Sequence, residues 1–183
     1  MTRRPSVALT FDNLYGMPSW CVKRGYGSFL TLEFGEPHLE TGPILRVRQE
    51  PPRRVVVPHG EWHLWVYCCA WSIRQDGRTM ATWRSSNRKI ERATRFLNGQ
   101  ALTRISVQLE RTRCTFEFDL GGSLVTWPYD SEGEQWILYM PGGQVWSLRA
   151  DSTYSFGSRD ARTDEEIWLP LDLGTVPDPI SGR

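Results

Sequence analysis

Apolar residues in this chain alternate with polar ones far more often than they recur every third or fourth position. Leu30, Leu32 and Phe34 hold one parity of a short run, with Phe29, Thr31 and Glu33 on the other. Ile105, Val107 and Leu109 alternate with Ser106 and Gln108, and Cys114, Phe116 and Phe118 with Thr115, Glu117 and Asp119. Successive side chains of a strand point to opposite faces, so this period marks strands with one face buried. Weaker alternation predicts further strands at 44–48, 53–57, 124–127, 136–140 and 144–150. Pro37 and then Gly42-Pro43 are expected to end the first strand. Residues 62–73 are apolar in both parities, which predicts one central strand covered on both faces. Trp65, Tyr67, Trp71 and Leu64 are expected inside it.

Helical spacing occurs once, over 87–97, where Ile90, Ala93 and Leu97 form a narrow apolar stripe. Ser85 or Ser86 can cap its start, and Asn98-Gly99 supplies a left-handed stop. Arg88, Lys89, Arg92 and Arg95 give it a basic, solvated outer face. Asp76-Gly77, Gly121-Gly122 and Pro141-Gly142-Gly143 read as turns. The segments 1–27 and 172–183 read as irregular, with Trp168-Leu169-Pro170-Leu171 clipping the tail to the body.

The chain also repeats itself. Thr31-Leu32-Glu33-Phe34-Gly35 returns with a small insertion at 115–121, and Gly60-Glu61-Trp62-His63-Leu64-Trp65-Val66-Tyr67 returns at 133–139. The echoes come in one order on either side of the helix. The expected fold is α+β and mainly antiparallel β, with two related β-rich halves flanking one amphipathic helix. Residues 1–183 form one domain with an internal repeat, 28–73 and 113–150.

Composition narrows the function classes. A net charge of +1 speaks against a general nucleic-acid partner, and no apolar run approaches membrane-span length. With no apolar stretch after Arg3-Arg4 to make a signal peptide, the expected location is cytoplasmic. Cys21, Cys68, Cys69 and Cys114 lack metal-ribbon or redox spacing, and buried reduced thiols are expected. No cofactor motif is present, and the glycine pairs lack the strand-to-helix setting of a phosphate loop.

Candidate chemistry is sparse. Glu33, Glu117 and Asp119 occupy the polar parity of the echoed strands and could act as acid–base groups or hold a cation if they converged. They are expected to face solvent, with Glu117 the exception because apolar residues flank it. His59 and His63 frame a strand start. In a straight strand they lie about 13 Å apart, too far to share a metal. The nine tryptophans exceed an ordinary allotment, and Trp83, Trp127 and Trp168 are candidates for a partner-binding surface. The expectation is a non-enzymatic accessory protein of bacterial immunity or inhibitor type that binds a protein partner. The alternatives are a small-ligand binding module with an aromatic pocket between the halves, or a hydrolase-type enzyme using Glu33, Glu117 or Asp119.

Overall fold

The structure, a computed structural model, describes residues 11–45, 53–162 and 166–171. The expected strand at 44–48 falls partly outside the described residues, and the N-terminal ten residues and the 172–183 tail fall wholly outside them. The first half contributes β1 (Trp20–Arg24), β2 (Leu30–Leu45), β3 (Arg53–Val66), β4 (Ala70–Gln75) and β5 (Arg78–Thr82). The helix α1 (Asn87–Leu97) follows. Then come β6 (Leu102–Gln108), β7 (Arg113–Phe118), β8 (Gly122–Trp127), β9 (Glu134–Met140), β10 (Gln144–Arg149), β11 (Thr153–Ser158) and β12 (Leu169–Pro170). The fold is α+β, with mostly antiparallel sheet and a single long helix among the described residues.

The strands form two antiparallel sheets, one in the order β1-β2-β3-β9-β10-β11-β12 and the other β5-β4-β8-β7-β6. The sheets face each other across one apolar core. Phe116 of one sheet meets Trp136 of the other edge to face at 5.5 Å, and Phe11 wedges beside both. Trp136 stacks on Trp146, which stacks on Tyr154. Leu30, Leu32, Phe34, Phe116 and Phe118 all lie in this core, as their alternation requires. α1 buries Ile90, Ala93, Thr94 and Leu97 against β1, β4, β5 and β8. Its start lacks the expected hydroxyl cap: the Ser86 backbone carbonyl accepts from Lys89 and Ile90, and the Ser85 hydroxyl is turned to the Thr82 N–H. Its end is tied to β1, because the Asn98 side chain accepts from the Val22 N–H and the Ser19 hydroxyl donates to the Leu97 carbonyl.

Two sequence readings need correction. First, 62–73 is not one central strand. The chain turns at Tyr67–Cys69, where the Cys69 N–H donates back to the Tyr67 carbonyl, and passes from one sheet to the other. Both parities are apolar because β3 and β4 bury different faces. Leu64 and Trp71 are core, whereas Trp65 and Tyr67 are only half-buried, on the outer face. Second, the second echo falls on β3 and β9, which are hydrogen-bonded neighbours in one sheet and not counterparts in two halves. The first echo falls on β2 and β7, which hold matching places in the order β1-β2-β3-β9-β10 of one sheet and β6-β7-β8-β4-β5 of the other. Cys69 and Cys114 are buried and Cys21 and Cys68 only partly so, all four as free thiols. Burial pushes the Cys114 thiol up to about 12, which keeps it protonated and inert.

Trp71→Ala should cost about 3–5 kcal/mol, the range for removing a large aromatic from a core. Trp65→Ala should cost less than half of that, because its ring is already partly in water. Denaturant midpoints of the two variants check this; equal losses would contradict the assigned faces.

Candidate functional site

The outer face of the seven-stranded sheet carries the polar parity of β2 and β3. Across three strands the pairing sets Glu33 opposite His63, and His63 opposite Tyr139. One step along, Thr31 lies opposite Trp65. This face would be an ordinary solvated surface were β2 and β3 not so long. Their distal parts run on past the body of the sheet, and the pairing slips between Phe34 and Pro37.

At the slip, Gly35 and Glu36 of β2 oppose Glu61 alone, which is a β-bulge, and a bulge bends its strand. Gly35 takes φ +75°, a conformation that a side chain disfavours. At Gly60, a Cβ would stand 2.3 Å from the Phe34 carbonyl oxygen. The Trp20 indole N–H donates to the Gly35 carbonyl at 3.0 Å and pins the distortion. Pro37 therefore does not end the strand: it sits at the bulge, where a missing N–H costs little.

The bend overturns the geometry expected for the histidines. The rings of His59 and His63 are 4.9 Å apart, centre to centre, and nearly perpendicular. Both turn their Nδ1 toward Glu33. Glu33 Oε1 accepts from His63 Nδ1 at 2.7 Å and from His59 Nδ1 at 3.2 Å, while Oε2 accepts from the Gly60 N–H at 3.0 Å. Glu33 is completely buried; the two imidazoles are 26% and 15% exposed. Burial alone would push the Glu33 carboxyl up. The hydrogen bonds from His63 and Gly60, with the charge of the two imidazoles, outweigh it and hold the carboxyl below its ordinary value. An ionised carboxylate can only accept, so both Nδ1 atoms carry their hydrogen.

Glu33 was expected to face solvent, with Glu117 the exception; the reverse holds. Glu117 is exposed on β7 in the other sheet and is not brought near Glu33. Asp119 is exposed and accepts the Ala101 N–H. Apolar neighbours on both sides of Glu117 only fill the core beneath its strand, whereas Glu33 is buried by the fold-over of its own hairpin.

The bent hairpin roofs a cavity of about 700 Å³ on the outer face. Glu33, His59 and His63 form its polar end. Phe29, Trp65, Tyr26 and Tyr139 supply aromatic wall, and the β9–β10 turn with Arg159 forms the far rim. Arg159 reaches Glu40 on β2 through two parallel hydrogen bonds of 3.0 and 3.1 Å, joining the hairpin to the end of β11. His38 also bonds Glu40. The Arg159 bonds, with His38, draw the Glu40 carboxyl down to about 2.

The tryptophans proposed as a partner surface are partly covered. Trp83 stacks on Tyr129 and has Arg84 over its ring, Arg113 lies over Trp127, and Arg149 over Trp168 at 3.6 Å. Sequence reasoning missed Trp65 and Tyr139 as cavity walls. One signal was present: Trp65 shares parity with His63, so an apolar plate stands on an otherwise polar face.

Gly60→Ala should force β2 and β3 apart and draw the residue-60 N–H away from Glu33, destabilising the protein by about 2 kcal/mol or more in chemical denaturation. Glu40 makes a pH prediction. Its folded carboxyl lies below its unfolded value of 4.5, so its stabilisation is complete above that value and fades as pH falls toward about 2. Glu40→Gln should therefore destabilise at pH 7 by at most about 1 kcal/mol, since the pair is half-exposed. The difference from wild type should vanish near pH 2 in acid-denaturation series. Compared with protein families, curated proteins and solved structures, the chain finds no match, and its function is read from this cavity.

Proposed function

We propose that this protein is a small-ligand binding module whose site is the cavity on the outer face of the seven-stranded sheet. The observation that carries the reading is the pairing of an aromatic-walled cavity of about 700 Å³ with one buried, convergent polar end. The cavity lies on one face of one sheet, beneath the β2–β3 hairpin, and not between two halves. The ligand that suits it has a planar or apolar body to lie against Trp65 and Tyr139, and a polar group to meet the partly exposed imidazoles of His59 and His63. A protein partner docking through Trp83, Trp127 and Trp168 has less support, because each ring already has a cation over it.

A second reading has one observation in its favour. His63 is held by Glu33 at 2.7 Å, as a general base is held by an orienting carboxylate. In that case His63 would move the proton. Glu33, its carboxyl held low, would be the positioning residue and not the acid.

The binding reading is tested by ligand-observed NMR with a panel of small aromatic compounds bearing one polar group. Hits should quench tryptophan fluorescence and weaken about tenfold or more in Trp65→Ala, equivalent to the ~1.4 kcal/mol lost with one aromatic contact. Hits indifferent to Trp65→Ala and Tyr139→Ala, or none at all, would dismiss the cavity as the site.

A further inference from the structure

We infer that Glu33, His59 and His63 form a three-ligand site for a divalent metal ion of zinc size, with its remaining coordination position open to the cavity. The inference deepens the ligand-binding reading and rests on the same cavity. Three observations carry it.

The first is convergence. One ligand atom from each residue lies within 4.8 Å of the other two. Zinc bonds imidazole nitrogen and carboxylate oxygen at about 2.0–2.2 Å, so two donors on a tetrahedral ion stand ~3.3 Å apart. Glu33 Oε1 is already 2.7 Å from His63 Nδ1 and 3.2 Å from His59 Nδ1. Both carboxylate–imidazole separations are within an ångström of that spacing, and the two imidazole donors, which lie within 4.8 Å of each other, would draw together around the ion.

The second is redundancy. A buried carboxylate can be satisfied by one histidine and the Gly60 N–H. Here two imidazoles, four residues apart, crowd onto a single oxygen, and it takes a bulge and a close backbone approach at Gly60 to put them there. A divalent ion relieves that crowding. It takes the place of the two N–H hydrogens, each neutral imidazole carries its proton on Nε2 instead, and the carboxylate keeps its charge opposite the cation. Oε2 remains held by the Gly60 N–H, the kind of outer support that metal-bound carboxylates receive.

The third is access. Glu33 is sealed, but both imidazoles are partly exposed to the cavity, so an ion can enter from that side. The two-histidine, one-carboxylate set leaves at least one position for water or a ligand donor, as in sites that bind or activate a small molecule and unlike closed structural sites. The class of ligand follows: a small aromatic molecule with a metal-binding carboxylate, hydroxamate or phenolate end.

Titration of the full-length protein with Zn²⁺ alone, after chelator treatment, tests the site by calorimetry. Co²⁺ then serves as a spectroscopic probe of four-coordination. One ion should bind per chain. Removing outer-shell partners of metal sites already costs 10–100-fold in affinity, so His59→Ala and His63→Ala should each lose about 100-fold or more. Glu33→Gln should lose as much while remaining folded by circular dichroism; should it unfold, the two histidine variants decide. Binding lost instead in Cys68→Ser or Cys21→Ser would overturn the assignment, as would binding indifferent to the histidines or no binding. The organic panel repeated in chelator separates the two readings. Aromatic ligands that bind metal-free protein while Zn²⁺ does not would remove the metal and leave the cavity. Zn²⁺ that binds while the aromatic panel does not would do the opposite.

Discussion

A carboxylate cannot stay ionised in a protein interior unless hydrogen-bond donors take the place of the water it has lost. Among the described residues, Glu33 is the fully buried acid around which the outer face is organised. Its donors are the Gly60 N–H and the Nδ1 hydrogens of His59 and His63. All three come from one stretch of β3, and they reach one carboxylate only because the hairpin is sharply bent there. Burial of Glu33, the bulge at Gly35–Glu36 and the meeting of the two histidines are therefore one feature. Any change that straightens the strand leaves a charge buried without partners.

The rest of the architecture makes that bend possible. The sandwich core needs only the inner face of each sheet, and the interlocked aromatics Phe11, Phe116, Trp136 and Trp146, in edge-to-face and stacked contact, fill it. The outer face of the seven-stranded sheet is left to be covered by whatever extends beyond the sandwich, and β2 and β3 are the strands long enough to do so. Two anchors hold the extension over the face. The Trp20 indole fixes the bulge from β1, and Arg159 grips Glu40 from the end of β11. The first is partly buried and the second half-exposed and open to screening, so the far end of the roof is the more easily released.

The cavity so formed combines an aromatic wall with a buried acid oriented by two imidazoles. Elsewhere among the described residues, acids such as Glu117 and Asp119 sit in solvent, and the exposed tryptophan faces carry guanidinium groups. Among the described residues, metal-ligating side chains converge at this one place.

Much of this was legible along the chain. Alternation in 30–34, 105–107 and 114–118 determined the strands and which side of each met the core, because the period of side-chain direction is a local property of the backbone; Leu109, the last apolar residue of the middle run, instead leaves the strand for a 3-10 turn and is exposed. The stripe of Ile90, Ala93 and Leu97 determined the helix for the same reason. His59, His63 and Glu33 could be singled out as candidates from residue type alone. What local pattern could not supply was distance and cover. An apolar run in both parities meant one doubly covered strand or two strands in different sheets, and only the turn at Tyr67–Cys69 decided between them. A glutamate on the polar parity meant solvent unless a distant part of the hairpin folded back over it. Two histidines four residues apart were about 13 Å apart in any straight strand; the bulge opposite Glu61, a product of pairing between β2 and β3, brought their rings to 4.9 Å. Strand identity was written in neighbouring residues, whereas the site was decided by register between strands, which no single segment encodes.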